Sequence, residues 1–154
     1  MNMKVLKPSR KPVQPGDIFV YQIQDDCYHY GRVIKVEDTG GPIHGGFILL
    51  YFYKATSPVK EQIPMLHRDD LLLPPIISDR YLWLKGYFVT LMNQALASDD
   101  ILPKHCFWDF AKRVYCDDLG NQLPERNEPC GEYGFTGYKV IDNEISDALG
   151  VPRS

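Results

Sequence analysis

The residues best suited to chemistry in this chain are carboxylates that come as adjacent pairs: Asp25 and Asp26, Asp69 and Asp70, Asp99 and Asp100, Asp117 and Asp118. A glycosidase needs two carboxylates facing each other across a sugar. Neighbours on a strand point to opposite faces, so no single pair can form that dyad. Each pair sits beside a turn signal, where Asp bonds to its own backbone. The other reading is that several pairs converge on one surface as an acidic patch. Cys27 with His29, and His105 with Cys106, are the closest thiol and imidazole pairs, and neither has the spacing of a structural zinc site. A catalytic thiol and its base normally meet through the fold and not as sequence neighbours. The glycine-rich stretch GGPIHGG at 40–46 lacks the Lys and Ser or Thr of a phosphate loop, and no GxSxG elbow occurs. The expectation is therefore no catalytic centre, no metal and no cofactor.

Ten tyrosines in 154 residues exceed what a core alone requires, and Tyr is favoured at protein interfaces. A Tyr-rich surface bounded by Asp pairs suits a basic protein partner. Charge and expected exposure single out Asp25, Asp26, Tyr28, Tyr30, Asp99, Asp100, Asp117 and Asp118 as its contact residues. Charge distribution points the same way. The net charge is −3, yet Lys4, Lys7, Arg10 and Lys11 stand in the first twelve residues without an acid, which leaves 13 basic against 20 acidic residues in the remainder. A body of net −7 argues against a nucleic-acid partner, which requires clustered Lys and Arg to displace phosphate counterions.

These residues need elements to hold them. Pro8, Pro12 and Pro15 make residues 1–16 an extended basic leader, and 17–154 is long enough for one globular domain. Asp17 to Tyr21, Tyr28 to Val36 and Phe47 to Tyr53 read as three strands. The first is β-branched and aromatic, the second alternates, and the third is apolar on both sides, as in a central strand. A polar turn at Gln24 to Asp26 and a glycine loop at 37–46 join them into a meander of the SH3-like, curled kind. Pro58, Pro64, Pro74 and Pro75 argue against long regular elements over 55–79, although Arg68 to Leu73 fits a turn of helix or a short strand. Composition favours a strand over Tyr81 to Met92, with a helix through Leu91 to Ala97 as the alternative. Phe107 to Cys116 fits a helical stripe through Phe107, Phe110 or Ala111, and Val114, but the hairpin turn signal at Asp118 to Asn121 favours strands on either side of it. The last segment reads as a helix of about eight residues, N-capped by Asp142, with Ile141, Ile145, Ala148 and Leu149 on its apolar face and Gly150 as its stop. The fold class is α+β, mostly antiparallel β with one short C-terminal helix.

The first residues carry no continuous apolar run or cleavage signal, and no apolar segment approaches the ~20 residues that span a bilayer. The expectation is a cytoplasmic protein with no membrane partner and four reduced cysteines.

The order PGDIF (Pro15 to Phe19), polar turn (Gln24 to Asp26), YHYGRVI (Tyr28 to Ile34) and hydrophobic strand resembles the Imm26 immunity proteins of bacterial polymorphic toxin systems. The resemblance extends loosely to Trp83 to Phe88 and the terminal helix. It implies a non-enzymatic antidote that binds a cognate toxin domain and occludes its active site, and it carries over no catalytic or contact residue. Acid excess fits a nuclease toxin, because it mimics phosphate and steers a basic partner. The alternatives from other classes are a small SH3-like adaptor, with Tyr28, Tyr30 and Trp83 lining a peptide groove, and a hydrolase with dispersed carboxylates.

Overall fold

The computed structural model describes residues 1–37 and 46–154. The glycine loop expected over 37–46 thus falls largely outside the described residues. The three expected strands form: β1 (Asp17–Tyr21), β2 (Tyr28–Glu37) and β3 (Phe47–Ser57). They pair antiparallel in sequence order, with Phe19 opposite Gly31 and Arg32 opposite Tyr51. Two further strands, β4 (Leu71–Ser78) and β5 (Val89–Asn93), extend the sheet to the order β4-β3-β2-β1-β5. β2 is therefore the middle strand, although β3 is buried over most of its length.

Three expectations are corrected. The prolines do not prevent a strand over 71–78: Pro74 and Pro75 lie between the pairs Leu50 with Ile76 and Phe52 with Leu73, where the register shifts. A bulge on an edge strand is where a missing N–H costs least. The segment expected as one strand from Tyr81 divides into a helical turn, α1 (Tyr81–Leu84), and β5. Asp79 accepts the Tyr81 N–H at 3.0 Å to start the turn, and Gly86, at φ +84°, ends it. The run to Cys116 is itself a hairpin, with β6 (Cys106–Asp109), a turn containing Arg113 at φ +56°, and β7 (Val114–Cys116). The expected turn at 118–121 follows, and Gln122 bridges back to Cys116. A short β8 (Cys130–Glu132) pairs parallel with β6 to complete a second, three-stranded sheet.

The terminal helix, α2 (Tyr138–Leu149), begins earlier than Asp142 implied. Gly137 is its N-cap, and Asp142 is a buried mid-helix residue that accepts the N–H groups of Asn2 and Met3 at 3.0 and 2.7 Å. The leader is thus fastened to the domain at its start. Gly150 ends the helix at φ +70°, while Ala148, expected on the apolar face, is exposed.

The main sheet is covered on both faces. Phe19, Tyr21, Phe52, Trp83 and Phe88 form one aromatic cluster, with Phe19 and Phe88 stacked at 4.4 Å, and Ile141 and Ile145 of α2 close it. Gly31 makes this packing feasible, because a Cβ there would overlap the Phe19 ring. On the other face Ile34, Leu49, Tyr51, Tyr53 and Ile77 pack against Phe107 and Cys116 of the second sheet. No described helix is long and apolar enough to cross a membrane.

Candidate partner-binding surface

β2 carries cations among its apolar residues, and the acid pairs meet them. Arg32 is only 3% exposed. Its Nη1 lies 3.2 Å from Asp100 Oδ1, and its Nη2 donates to the Gln94 carbonyl at 2.7 Å. The second oxygen of Asp100 accepts the Ala97 N–H, which closes the 3₁₀ turn Ser98–Asp100. Three residues on, Lys35 Nζ reaches Asp118 at 3.2 Å. At the other end of β2, Asp25 in the β1–β2 turn pairs with Lys4 of the leader.

Asp118 belongs to a longer chain of bonds. The Leu102 N–H donates to the Tyr51 hydroxyl at 3.0 Å, and His105 Nε2 lies 2.6 Å from the same oxygen. On its other side, His105 Nδ1 faces Asp118 at 3.5 Å. His105 and Lys35 hold the Asp118 carboxyl down at about 2, while burial pushes the Tyr51 phenol up to about 12. A buried, strongly protonated phenol is a poor nucleophile, and the chain of bonds serves to tie β3 to the segment before β6. Asp117 caps the neighbouring turn by accepting the Leu119 and Asn121 N–H groups, both at 2.9 Å.

A pattern emerges across the three pairs. One carboxylate of each is bound by a cation of this chain: Asp25, Asp100 and Asp118. Of the others, Asp117 is used by its turn, while Asp26 and Asp99 are exposed. The pairs do not form one cluster but are strung along β2, at a strand's rise of about 3.3 Å per residue. Tyr28 is half-buried, whereas Tyr30 is fully buried, its hydroxyl donating to the carbonyls of Val59 and Lys60 at 3.1 and 2.9 Å. Tyr30 therefore pins the loop over 58–66 to the sheet and presents no surface of its own.

That loop makes one wall of a groove of about 360 Å³. Ile63, Met65 and Leu66 face Ile18 of β1 and Met92 of β5, with the Arg32 and Asp100 pair between them. Met65 is 83% exposed and Met92 45%. Arg68 donates to the carbonyls of Ser98 and Ile101, which ties the end of that loop to the 98–101 turn. Sequence reasoning missed the groove because its walls come from four separate segments. The one local signal was a flexible thioether, the side chain that suits adaptable contacts, at Met65 in the proline-rich stretch and at Met92 in β5. β5 closes the groove at the edge of the sheet, where among the described residues it pairs only with β1.

The thiol and imidazole pair nearest to catalytic geometry is Cys27 with His29, at 3.7 Å. Its electrostatics run the wrong way for a nucleophile and base. Burial and Asp26 push the Cys27 thiol up, and burial holds His29 below its ordinary range while it stacks on Tyr21 at 5.3 Å. Among the described residues, no group of three or more metal-ligating side chains is placed to hold an ion.

Comparison with known proteins adds one match. No curated protein and no solved structure matches the chain. Residues 14–117, from the end of the leader through β7, match the family described as Immunity protein 26, Imm26. The stretch covers both sides of the groove and the Arg32 and Asp100 pair, while Lys4 and Asp118 lie outside it. On that match, which spans well over half of the chain, this protein belongs to the Imm26 family of immunity proteins.

Proposed function

We propose that this protein neutralises a cognate bacterial toxin domain by binding it in the cytoplasm, without catalysis of its own, at the groove between the 58–66 loop and β5. Family membership supports the role of antidote. The observation that carries the location is the exposure of Met65 and Met92 on either side of a desolvated Arg32 and Asp100 pair, with Asp99 exposed beside them. Met and Arg are both enriched at protein interfaces, and adaptable thioethers flanking a largely buried Arg and carboxylate pair suit contact with another protein. The occupant is a folded domain that places an apolar side chain between the two methionines and a Lys or Arg beside Asp99. A basic toxin surface, of the kind nucleases carry, meets that requirement. Asp25, Asp26 and Tyr28 extend the contact along β2. Asp100, Asp117, Asp118 and Tyr30 contribute by holding the surface in shape.

The test is capture of the toxin domain from the native host, followed by co-expression of that domain with this protein in a sensitive strain. Wild type restores growth, and Met65→Lys with Met92→Lys weakens binding by about tenfold or more, equivalent to ~1.4 kcal/mol. Full rescue with unchanged affinity in the double variant overturns the location. Failure of wild type to rescue overturns the function.

A further inference from the structure

All four cysteines are free thiols, and two of them are placed as a pair. Cys106 of β6 and Cys130 of β8 are direct partners in the parallel register, and their Sγ atoms lie 3.2 Å apart. Neighbouring strands are spaced about 4.8 Å apart, which falls within the ~4.4–6.8 Å Cα separation that a disulfide accepts. We infer that Cys106 and Cys130 are a site of reversible oxidation, at which a low-molecular-weight disulfide converts the two thiols into one intramolecular disulfide.

The surroundings select this pair over the alternatives. Cys116 is opposite Phe107, so both turn to the main sheet, where they pack with Ile34 and Tyr51. Cys106 is one residue earlier and turns to the opposite face with Cys130. Cys27 is in a different sheet, beside His29. Access is through Cys130. It lies at the base of a depression of about 290 Å³ beside Trp108, Tyr115 and Arg126, and of a second, of about 150 Å³, between Pro74, Pro75 and Glu144. Cys106 has no exposure, and Asn127 donates its N–H to the Cys106 sulfur at 3.4 Å.

The chemistry balances as two exchanges. Cys130 loses its proton and attacks one sulfur of the small disulfide, forming a mixed disulfide and expelling one small thiolate. Cys106 then loses its proton and attacks Cys130 Sγ, and the second small thiolate leaves. The protein gives up two hydrogens, and the small disulfide is reduced to two thiols. Burial and the neighbouring Cys106 push the Cys130 thiol up, so Cys130 rests as a thiol and reacts slowly, as part of a structural staple and not as a catalytic centre. Once formed, the bond joins β6 to β8 and so fastens the segment that leads into α2 to the second sheet.

The experiment uses the full chain treated with oxidised glutathione, and it does not depend on the toxin reading. Expected are a fall from four free thiols to two in denaturant, a mass lower by two hydrogens, a Cys106 peptide linked to a Cys130 peptide, and a higher urea midpoint. Because Cys130→Ser alone could disturb the fold, the decisive variant is Cys27→Ser with Cys116→Ser, which retains the pair and must still oxidise within one chain. Four unchanged thiols, a glutathione adduct that persists on Cys27, or links between chains would overturn the inference.

Discussion

His105 and Lys35 hold the Asp118 carboxyl at about 2 against an ordinary 3.8. A folded value below the unfolded one gives stability that is present above pH 3.8 and lost as pH falls toward 2. His29 acts in the same direction by a different cause. Burial favours its neutral form, so stability is complete above its ordinary 6.5 and declines as pH falls below it. Two acid-side losses follow in urea titrations across pH, one beginning below 6.5 and one below 3.8. His29→Gln removes the first and leaves the second; an unchanged upper step in that variant contradicts the assignment. Asp118→Asn lowers stability by about 1–3 kcal/mol, the cost of a disrupted buried polar partner. At Gly31, an added Cβ meets the ring of Phe19, and Gly31→Ala therefore costs ~1–3 kcal/mol by overpacking, read as a lower thermal midpoint.

At the scale of elements, what was legible followed from periodicity. β1, β2 and β3 carried alternating or continuous apolar runs, whereas the close approach of Phe19 to Gly31 shows only in the fold. β4 was hidden because Pro74 and Pro75 read as breakers, and only the pairing with β3 shows that they occupy a bulge at an edge. α2 was found but its start was not: Gly137 caps it without a side chain, and the better capping residue, Asp142, is spent on the backbone of Asn2 and Met3. Half of the expected contact residues carry structure, because an acid beside a turn looks the same in sequence whether a cation of its own chain binds it or not. The groove was illegible for a plainer reason, since Ile18, Met65 and Met92 are far apart along the chain. The role of Asp142 predicts that Asp142→Ala releases residues 1–9, seen as faster amide exchange at Met3, Lys4 and Leu6. It also costs ~1–3 kcal/mol, because buried donors lose their acceptor. Unaltered exchange at those amides contradicts the role.

For the whole molecule, the uneven charge of the sequence has a structural meaning. The basic leader does not stand apart from the acidic body: Lys4 binds Asp25, and the chain start is bound by α2. Cations of this chain pair with one carboxylate in each of three pairs, and Asp26 and Asp99 stand exposed beside them. Steering of a basic partner then rests on few charges, and Asp26→Lys with Asp99→Lys should slow association by about tenfold at low salt, a difference that shrinks as salt is raised. The central claim, an antidote that acts by binding through the groove, is tested most directly by titrating the captured toxin domain into wild type and into Met65→Lys with Met92→Lys, with thermal midpoints measured alongside. The account predicts a one-to-one complex with wild type and an affinity lower by about tenfold or more in the double variant at an unchanged midpoint. Equal affinity in the two proteins, or no complex with wild type, would contradict it.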